Sequence, residues 1–429
     1  MVSRRVVLKI GIASGALAVV GRDPSAGSML AGAAPAGSTR PTSQDIADRL
    51  NDNIYTRLLN VKPHLAAHEH ITRLGGNRVS PSVISAMNQA NDFFVDMHEL
   101  CLAAGKRIAE WMGAEDAIVT AGGFSSMVLA SAACLTGTDP KKIEALPQVD
   151  WKPRECLIPF GHRFEYDRAY RCAGATIVEA TSRADLSKRV NPDTALIAGL
   201  AIVEKQDLFA PPLPASKATP VTREVILPEE LIQFANQKGI PVVIDMASDI
   251  PPKTNLTRFI ECGADLVVIS GGKGIGGPQS SGILAGRKPL IEAARLNAYP
   301  NNQIGRGMKV GKEEIVGLVT ALEHFVKTDY DAEVRQWNDR AKWLADQLRN
   351  VRGLTAVYSL NTMGYADVEL SWDPEIIPLT EPEVKSALRE YDPKVEYLIT
   401  LRTRLLNQSE TRLLADTLVR FFEKHSVSR

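Results

Sequence analysis

The stretch Ser270-Gly271-Gly272-Lys273-Gly274-Ile275-Gly276-Gly277-Pro278-Gln279-Ser280-Ser281-Gly282 sets one lysine among glycines directly after the apolar run Leu266-Val267-Val268-Ile269. Backbone this bare suits neither a surface helix nor a core, and glycine lets main chain approach a bulky ligand closely. A lysine held there in a partly dry pocket can lose its proton and form an imine with a carbonyl. The competing reading is a nucleotide phosphate loop, in which the lysine is only a cation. That loop requires GxxxxGK[ST], and Lys273 is followed by Gly274.

Upstream, the strand-like Pro241-Val242-Val243-Ile244 ends in Asp245 and is followed by small residues. Between the two anchors, Leu256 to Cys262 reads as a short helix with Gly263 as its stop. The unit is strand, helix, strand, and ligands of open α/β sheets collect beyond the carboxyl ends of strands, so Asp245 and Lys273 are expected to face one crevice. An acid and an imine-forming lysine together suit pyridoxal phosphate. The lysine holds the aldehyde, and the acid keeps the pyridine nitrogen protonated so that the ring acts as an electron sink.

A third piece lies earlier. Ala117-Ile118-Val119-Thr120 reads as a strand leading through Ala121 into Gly122, Gly123, Phe124, Ser125 and Ser126, and then into a small-residue helix from Met127 to Leu135. Glycines at a helix start, with free main-chain N–H groups and hydroxyls, make an anion site, here the expected cup for the cofactor phosphate. The alternation of strands and helices over this length predicts a wound sheet with helices on both faces.

These residues resemble the fold-type-I pyridoxal phosphate enzymes of the selenocysteine synthase-like group, which includes D-glucosaminate-6-phosphate ammonia-lyase. The likeness runs from Val243-Ile244-Asp245 through Ser270-Gly271-Gly272-Lys273 and Gly276-Gly277-Pro278-Gln279. It also takes in Gly161-His162-Arg163, Tyr166-Asp167, Ala173-Gly174-Ala175, Gly305-Arg306 and Met308 to Glu314. It covers roughly Ile71 to Val326, and it departs from the group near Tyr397 to Gln408, which lacks an Asn-Pro segment. The resemblance implies an aspartate aminotransferase-like α/β large domain with a smaller α+β carboxy-terminal domain. It implies that Lys273 is the catalytic lysine, that Asp245 and Ser270 belong to the cofactor site, and that His162 stacks on the pyridine ring. It brings the loop carrying Asn77 and Arg78 to the substrate. Arg306 offers a planar fork for a substrate carboxylate, or alternatively a bridge between subunits.

The expected domains are a signal peptide over 1–33, a linker and amino-terminal arm over 34–63, a cofactor-binding large domain over 64–300, and a small domain over 301–429. Ser43 to Leu59 has helical spacing and reads as an arm lying on a partner subunit; Ser80 to Met112 has the same spacing. Glu204 to Thr222 is proline-rich and reads as a loop near the crevice. His64 and His68 are four apart, as zinc ligands on a helix face would be, but with no third ligand at a plausible spacing the reading is a nonmetal loop and no metal site.

At 429 residues, 45% hydrophobic and 23% charged, the chain has the composition of a soluble protein with a deep core. Fifty basic residues balance fifty acidic ones, so nothing draws the chain to nucleic acid. The five cysteines, at 101, 134, 156, 172 and 262, have no CxxC pairing and read mostly as buried small apolar residues. Ser3-Arg4-Arg5-Val6-Val7-Leu8-Lys9 precedes a glycine-rich apolar run from Ile10 to Val20 and then Ala31-Gly32-Ala33. This is the layout of a twin-arginine signal cleaved after Ala33, too short to anchor stably in a membrane, and it predicts export; the alternative is a cytoplasmic enzyme.

The reaction implied by the resemblance is elimination of water and then ammonia from a hydroxy amino acid or amino sugar acid, giving a 2-oxo acid in a homo-oligomer. Two alternatives stay open: selenium or sulfur transfer to a seryl group, and a pyridoxal phosphate-binding protein without turnover. Neutral charge and export both weigh against transfer RNA, and export weighs against a phosphorylated sugar acid.

Overall fold

The computed structural model describes residues 41–202, 224–361 and 364–427. The signal-peptide stretch and the proline-rich 204–222 stretch lie outside the described residues. A short strand, β1 (His64–Ala66), comes first, followed by the strands of the main sheet: β2 (Asp116–Thr120), β3 (Glu155–Pro159), β4 (Thr176–Ala180), β5 (Thr194–Leu200), β6 (Val242–Asp245), β7 (Leu266–Ser270) and β8 (Gly282–Gly286). β9 (Leu354–Leu360), β10 (Ala366–Trp372) and β11 (Lys394–Glu396) follow near the carboxyl end.

The seven-stranded sheet has the order β2-β8-β7-β6-β5-β3-β4. Only β8 runs against its neighbours; the pairs from β7 to β4 are parallel. Helices cover both faces, so β5 is buried along its whole length and the central strands read as unbroken apolar runs. Within those runs alternate side chains still go to opposite faces. Val242 and Ile244 pack with Ile108, Met112, Leu231 and Phe259, whereas Val243 packs with Met127, Leu129 and Ile291. The α/β fold expected from the sequence is the fold observed.

A third apolar core is that of the small α+β body. It joins the β9–β10 hairpin to the helices Tyr330–Leu348, Glu381–Arg389 and Gln408–His425. Its limits differ from the expected boundaries at 64 and 301. Ile46 and Leu65 belong to this core, and β1 pairs in parallel with β11, so residues before 68 pack with the carboxy-terminal body. Conversely, the helix Lys312–Lys327 sends Ile315, Leu318, Leu322 and Phe325 into the core of the large sheet, and the bodies part at the short link after it.

Two expected helices are each broken by a polar cap. Asn53 Oδ1 accepts from the N–H groups of Tyr55 and Thr56, ending Ser43–Asn51 and starting Ile54–Leu59. Asp96 does the same between Pro81–Asn91 and Met97–Met112. The first arm helix lies on its own chain through Ile46 rather than projecting free. Cys101 and Cys156 are buried as expected, but Cys172 and Cys262 are exposed, and all five thiols are free. Among the described residues no helix is long and apolar enough to cross a membrane.

Candidate active site

β2, β6 and β7 end on the same side of the sheet, which brings three sequence signals together. Thr120 at the end of β2 and Ser270 at the end of β7 both face Gly282, the first residue of β8. Asp245 ends β6 and lies in register with Leu200 of β5 and Val268 of β7. The turn at Gly122–Gly123 sits over these ends. A Cβ on Gly123 would come 3.2 Å from Ala247 Cβ, 3.7 Å from Val268 and 3.9 Å from Ser270.

Lys273 Nζ donates to Ser248 Oγ at 2.6 Å. Burial pushes the lysine below its ordinary range, and the Asp245 carboxylate partly restores it. Asp245 is 4% exposed. Its Oδ1 accepts from the Ala247 N–H at 2.9 Å, and burial pushes its carboxyl up against the pull of that bond and of Lys273. The amine and the acid therefore share a crevice as expected. Ser248, three residues after Asp245, is a member of the site that sequence reasoning missed; its signal was only the run of small residues after the strand.

The glycines around Lys273 serve the loop itself. A Cβ on Gly272 would collide with the backbone of Gln279, and one on Gly274 with the Ile250 carbonyl. The turn is fixed by Gly277 N–H donating to Gly271 O at 2.8 Å and Gly276 N–H to Lys273 O at 3.0 Å. Close approach is real, but it is of main chain to main chain.

At the expected phosphate cup, Gly122 has φ 101° and no side chain among the described residues caps the helix Gly123–Thr136. That left-handed conformation is one that glycine alone adopts without strain. Phe124 is 38% exposed beside it. The two serines are already engaged: Ser125 Oγ donates to Ala121 O at 3.2 Å, and Ser126 Oγ, fully buried, shares a 2.7 Å bond with Thr120 Oγ1. Uncapped N–H groups, rather than serine hydroxyls, are what this helix start offers an anion.

Four expected residues have other tasks. His162 is 1% exposed and uses both ring nitrogens on backbone. The Leu200 N–H donates to Nδ1 at 2.8 Å, and Nε2–H donates to Ile226 O at 2.7 Å. Burial pushes its pKa down to about 4, so it stands as a neutral clamp across the strand end beside Asp245. Asn77 Nδ2 donates to Lys273 O at 2.9 Å, so it positions the lysine loop instead of offering itself to substrate. Arg78 pairs with Glu410 at 2.7 Å with its side chain 62% exposed. Arg306 is exposed, bonded to Asn302 Oδ1 at 3.3 Å and lying over Tyr299, and it touches none of the anchors. His64 and His68 lie on β1 and the loop after it, not on a helix, and share a hydrogen bond at 2.9 Å. Among the described residues no group of three or more potential ligands could hold a metal.

An amine and an acid at neighbouring strand ends, with an uncapped helix start against both, form a donor set that fits pyridoxal phosphate. The family described as "SelA: L-seryl-tRNA selenium transferase" matches residues 217–353. The chain is 32% identical over 308 residues to a 5'-C-glycyluridine monooxygenase-decarboxylase of Streptomyces sp, spanning 70% of this chain and 72% of that protein. It is 29% identical over 285 residues to the D-glucosaminate-6-phosphate ammonia lyase of Salmonella typhimurium, spanning 64% of this chain and 71% of the relative. A solved structure of D-glucosaminate-6-phosphate ammonia-lyase superposes with TM-score 0.74 at 24% identity, over 87% of this chain and 99% of that one. With its fold, its strand-end lysine and acid, and these relatives in agreement, the chain belongs to the selenocysteine synthase-like, ammonia-lyase-like group of fold-type-I pyridoxal phosphate enzymes.

Proposed function

We propose that this protein is a pyridoxal phosphate-dependent lyase that eliminates water from a hydroxy amino acid or amino sugar acid and, by adding one water back to the resulting imine, releases ammonia and a 2-oxo acid, for a net loss of ammonia alone. The observation that carries the reading is the pairing of Lys273 and Asp245 at adjacent strand ends under an uncapped helix. When bound, the cofactor supplies a sink for charge developing at the substrate α-carbon. Asp245 would hold the ring nitrogen through a charge-assisted hydrogen bond, and the Gly122 to Ser126 turn would hold the phosphate. Lys273, lowered by burial, takes and returns a proton at the α-carbon as a general base and acid. Ser248 orients its amine through the 2.6 Å bond.

Release of ammonia and a 2-oxo acid from a panel of D- and L-hydroxy amino acids tests this reading; no product from any of them, with cofactor bound, leaves a binding protein. The monooxygenase-decarboxylase relative supports a second reading, oxidative decarboxylation of an amino acid at the same seat. The same panel separates the two, because that reaction consumes dioxygen and releases carbon dioxide. Seryl transfer on transfer RNA is the weaker reading, since equal numbers of basic and acidic residues provide no general attraction for a polyanion.

Self-association and export complete the proposal. The helix Ile54–Leu59 buries no residue of its own, leaving Leu58 70% exposed, and Phe94 is fully exposed, so a second copy of the chain is the expected cover. Sedimentation of the starting protein and of Leu58→Glu with Phe94→Glu checks it: a monomer in both cases rejects the assembly. For export, replacing Arg4 and Arg5 by lysine should strand an uncleaved precursor in the cytoplasm. Identical fractionation of both forms, with Met1 retained, rejects it.

A further inference from the structure

The chemistry above leaves unused a set of buried polar side chains on the small body. Arg404 Nη1 donates to Glu69 Oε2 at 2.8 Å, and Arg402 Nη1 lies 3.1 Å from Glu69 Oε1. Arg402 also reaches Asp367 at 2.8 Å. Two guanidinium groups thus face two carboxylates, so the set carries no net charge. The Arg404 guanidinium is sandwiched, 4.9 Å from the Trp337 ring and 4.8 Å from the Tyr365 ring. Inside this set Arg404 Nε and Tyr365 OH are buried and have no hydrogen-bond partner among the described residues. A buried polar atom left so costs about 1–3 kcal/mol, and proteins keep such atoms where something else supplies the bond.

The set lies toward the lysine. Asn77 bonds the Lys273 carbonyl and Gln279 Nε2 donates to Thr72 O at 2.7 Å, so the chain running on from Glu69 is fastened to the lysine loop within a few residues. The Tyr365 phenol feels the charges of Asp249 and Glu69, and Asp249 follows Ser248, the partner of Lys273. Tyr365 also lines an open cleft of about 430 Å³ together with Pro252 to Thr254 and Thr328 to Asp331.

We propose that Tyr365, Arg404 and Glu69 form a subsite for a hydroxyl on the substrate's side chain, which makes the substrate an amino acid with a neutral hydroxylated tail. A hydroxyl both donates and accepts, and so does this set: the phenol does either, Arg404 Nε donates and Glu69 accepts. A carboxylate or phosphate on the tail would bring uncompensated charge beside Glu69 in a set already neutral. The inference rests on the amino acid reading given above and assigns residues to that substrate's tail.

The test is Tyr365→Phe in the cofactor-loaded protein, titrated with 2-amino-2-deoxygluconate and with norleucine, its six-carbon counterpart without hydroxyls. Binding is followed by cofactor absorbance, with thermal unfolding measured in parallel. The subsite requires affinity for the hydroxylated compound to fall roughly three- to tenfold, as for one net hydrogen bond. Norleucine binding should not change, and the unfolding temperature should hold or rise, because the lost hydroxyl has no partner among the described residues. Unchanged affinity for the hydroxylated compound, an equal loss for norleucine, or a fall in unfolding temperature overturns the subsite alone. A starting protein whose absorbance responds to neither compound overturns the amino acid reading with it.

Discussion

Lys273 Nζ is bonded to Ser248 Oγ at 2.6 Å, so the amine is held by a hydroxyl in the turn after Asp245 and not by the Asp245 carboxylate. Acid and amine stay separate reagents in one crevice. A direct ion pair would hold the amine protonated and occupy the carboxylate that the ring nitrogen needs. The neighbouring strand ends set that separation.

The Lys273–Ser248 bond has a titration consequence. Burial already places the amine below the ordinary lysine range, against the pull of Asp245. An acceptor such as Ser248 Oγ bonds the charged amine more strongly than the neutral one, so the bond works in the same direction as Asp245. Removing the acceptor with Ser248→Ala should lower the amine further. The pH at half-maximal cofactor capture should then fall by about half to one unit, the equivalent of one hydrogen bond. Borohydride should fix the cofactor to the Lys273 peptide in both proteins. Attachment elsewhere, or an unmoved half-point, rejects these roles.

Asp245→Asn keeps the shape of the strand end but cannot hold a proton on the ring nitrogen through a charge. Cofactor should stay bound while exchange of the substrate α-proton with deuterated solvent slows by about 2–4 kcal/mol in the barrier, roughly 30- to 800-fold. An exchange rate equal to that of the starting protein would make Asp245 a structural residue.

His162 supplies a pH test of the clamp. Its folded pKa is about 4 and its ordinary value 6.5, so the unfolded chain binds the extra proton first. The stabilisation is fully present above pH 6.5 and is lost as pH falls through 4, with a ceiling of roughly 3 kcal/mol. His162→Ala should lower stability at pH 7 by about 2–4 kcal/mol and make the stability curve between pH 6.5 and 4 less steep, while His64, His68 and His70, also pushed down by burial, keep the remaining slope. Denaturant midpoints across that range check it. A curve as steep as before would free His162 from the clamp and return it to ring stacking.

What the sequence disclosed and what it hid follow one physical division. Asp245, Lys273 and the Gly122–Gly123 turn were legible because each sits where a strand pattern stops, and a buried parallel strand advertises its end through the loss of apolar residues. Asn77 and His162 were found, but their partners were not, because a hydrogen bond to a main-chain carbonyl leaves no mark on the partner's identity. The Glu69, Tyr365 and Arg404 set was invisible for another reason. Its members lie far apart in the chain, and their segments are joined by single contacts, the Arg402 N–H to Ala67 O and Val368 to Leu401, which have no sequence pattern of their own.

The last test separates positioning from substrate contact at neighbouring positions. Asn77 Nδ2 donates to the Lys273 carbonyl at 2.9 Å, from a half-buried side chain that also fits against Gly276. Arg78 reaches from an exposed position to the buried Glu410 carboxylate, which also accepts from the Asn407 N–H, so the guanidinium is engaged with the carboxy-terminal helix and not with the lysine loop. Asn77→Ala should therefore loosen the lysine loop and speed cofactor release roughly fivefold, the equivalent of about 1 kcal/mol. Asn77→Asp should do no better, because a carboxylate cannot donate to a carbonyl. Arg78→Ala and Arg306→Ala should leave cofactor release and KM within about threefold of the starting protein. A KM raised tenfold or more by either arginine change, with cofactor affinity untouched, would put that arginine on the substrate. Cofactor release unchanged in both Asn77 variants would return Asn77 to the same role.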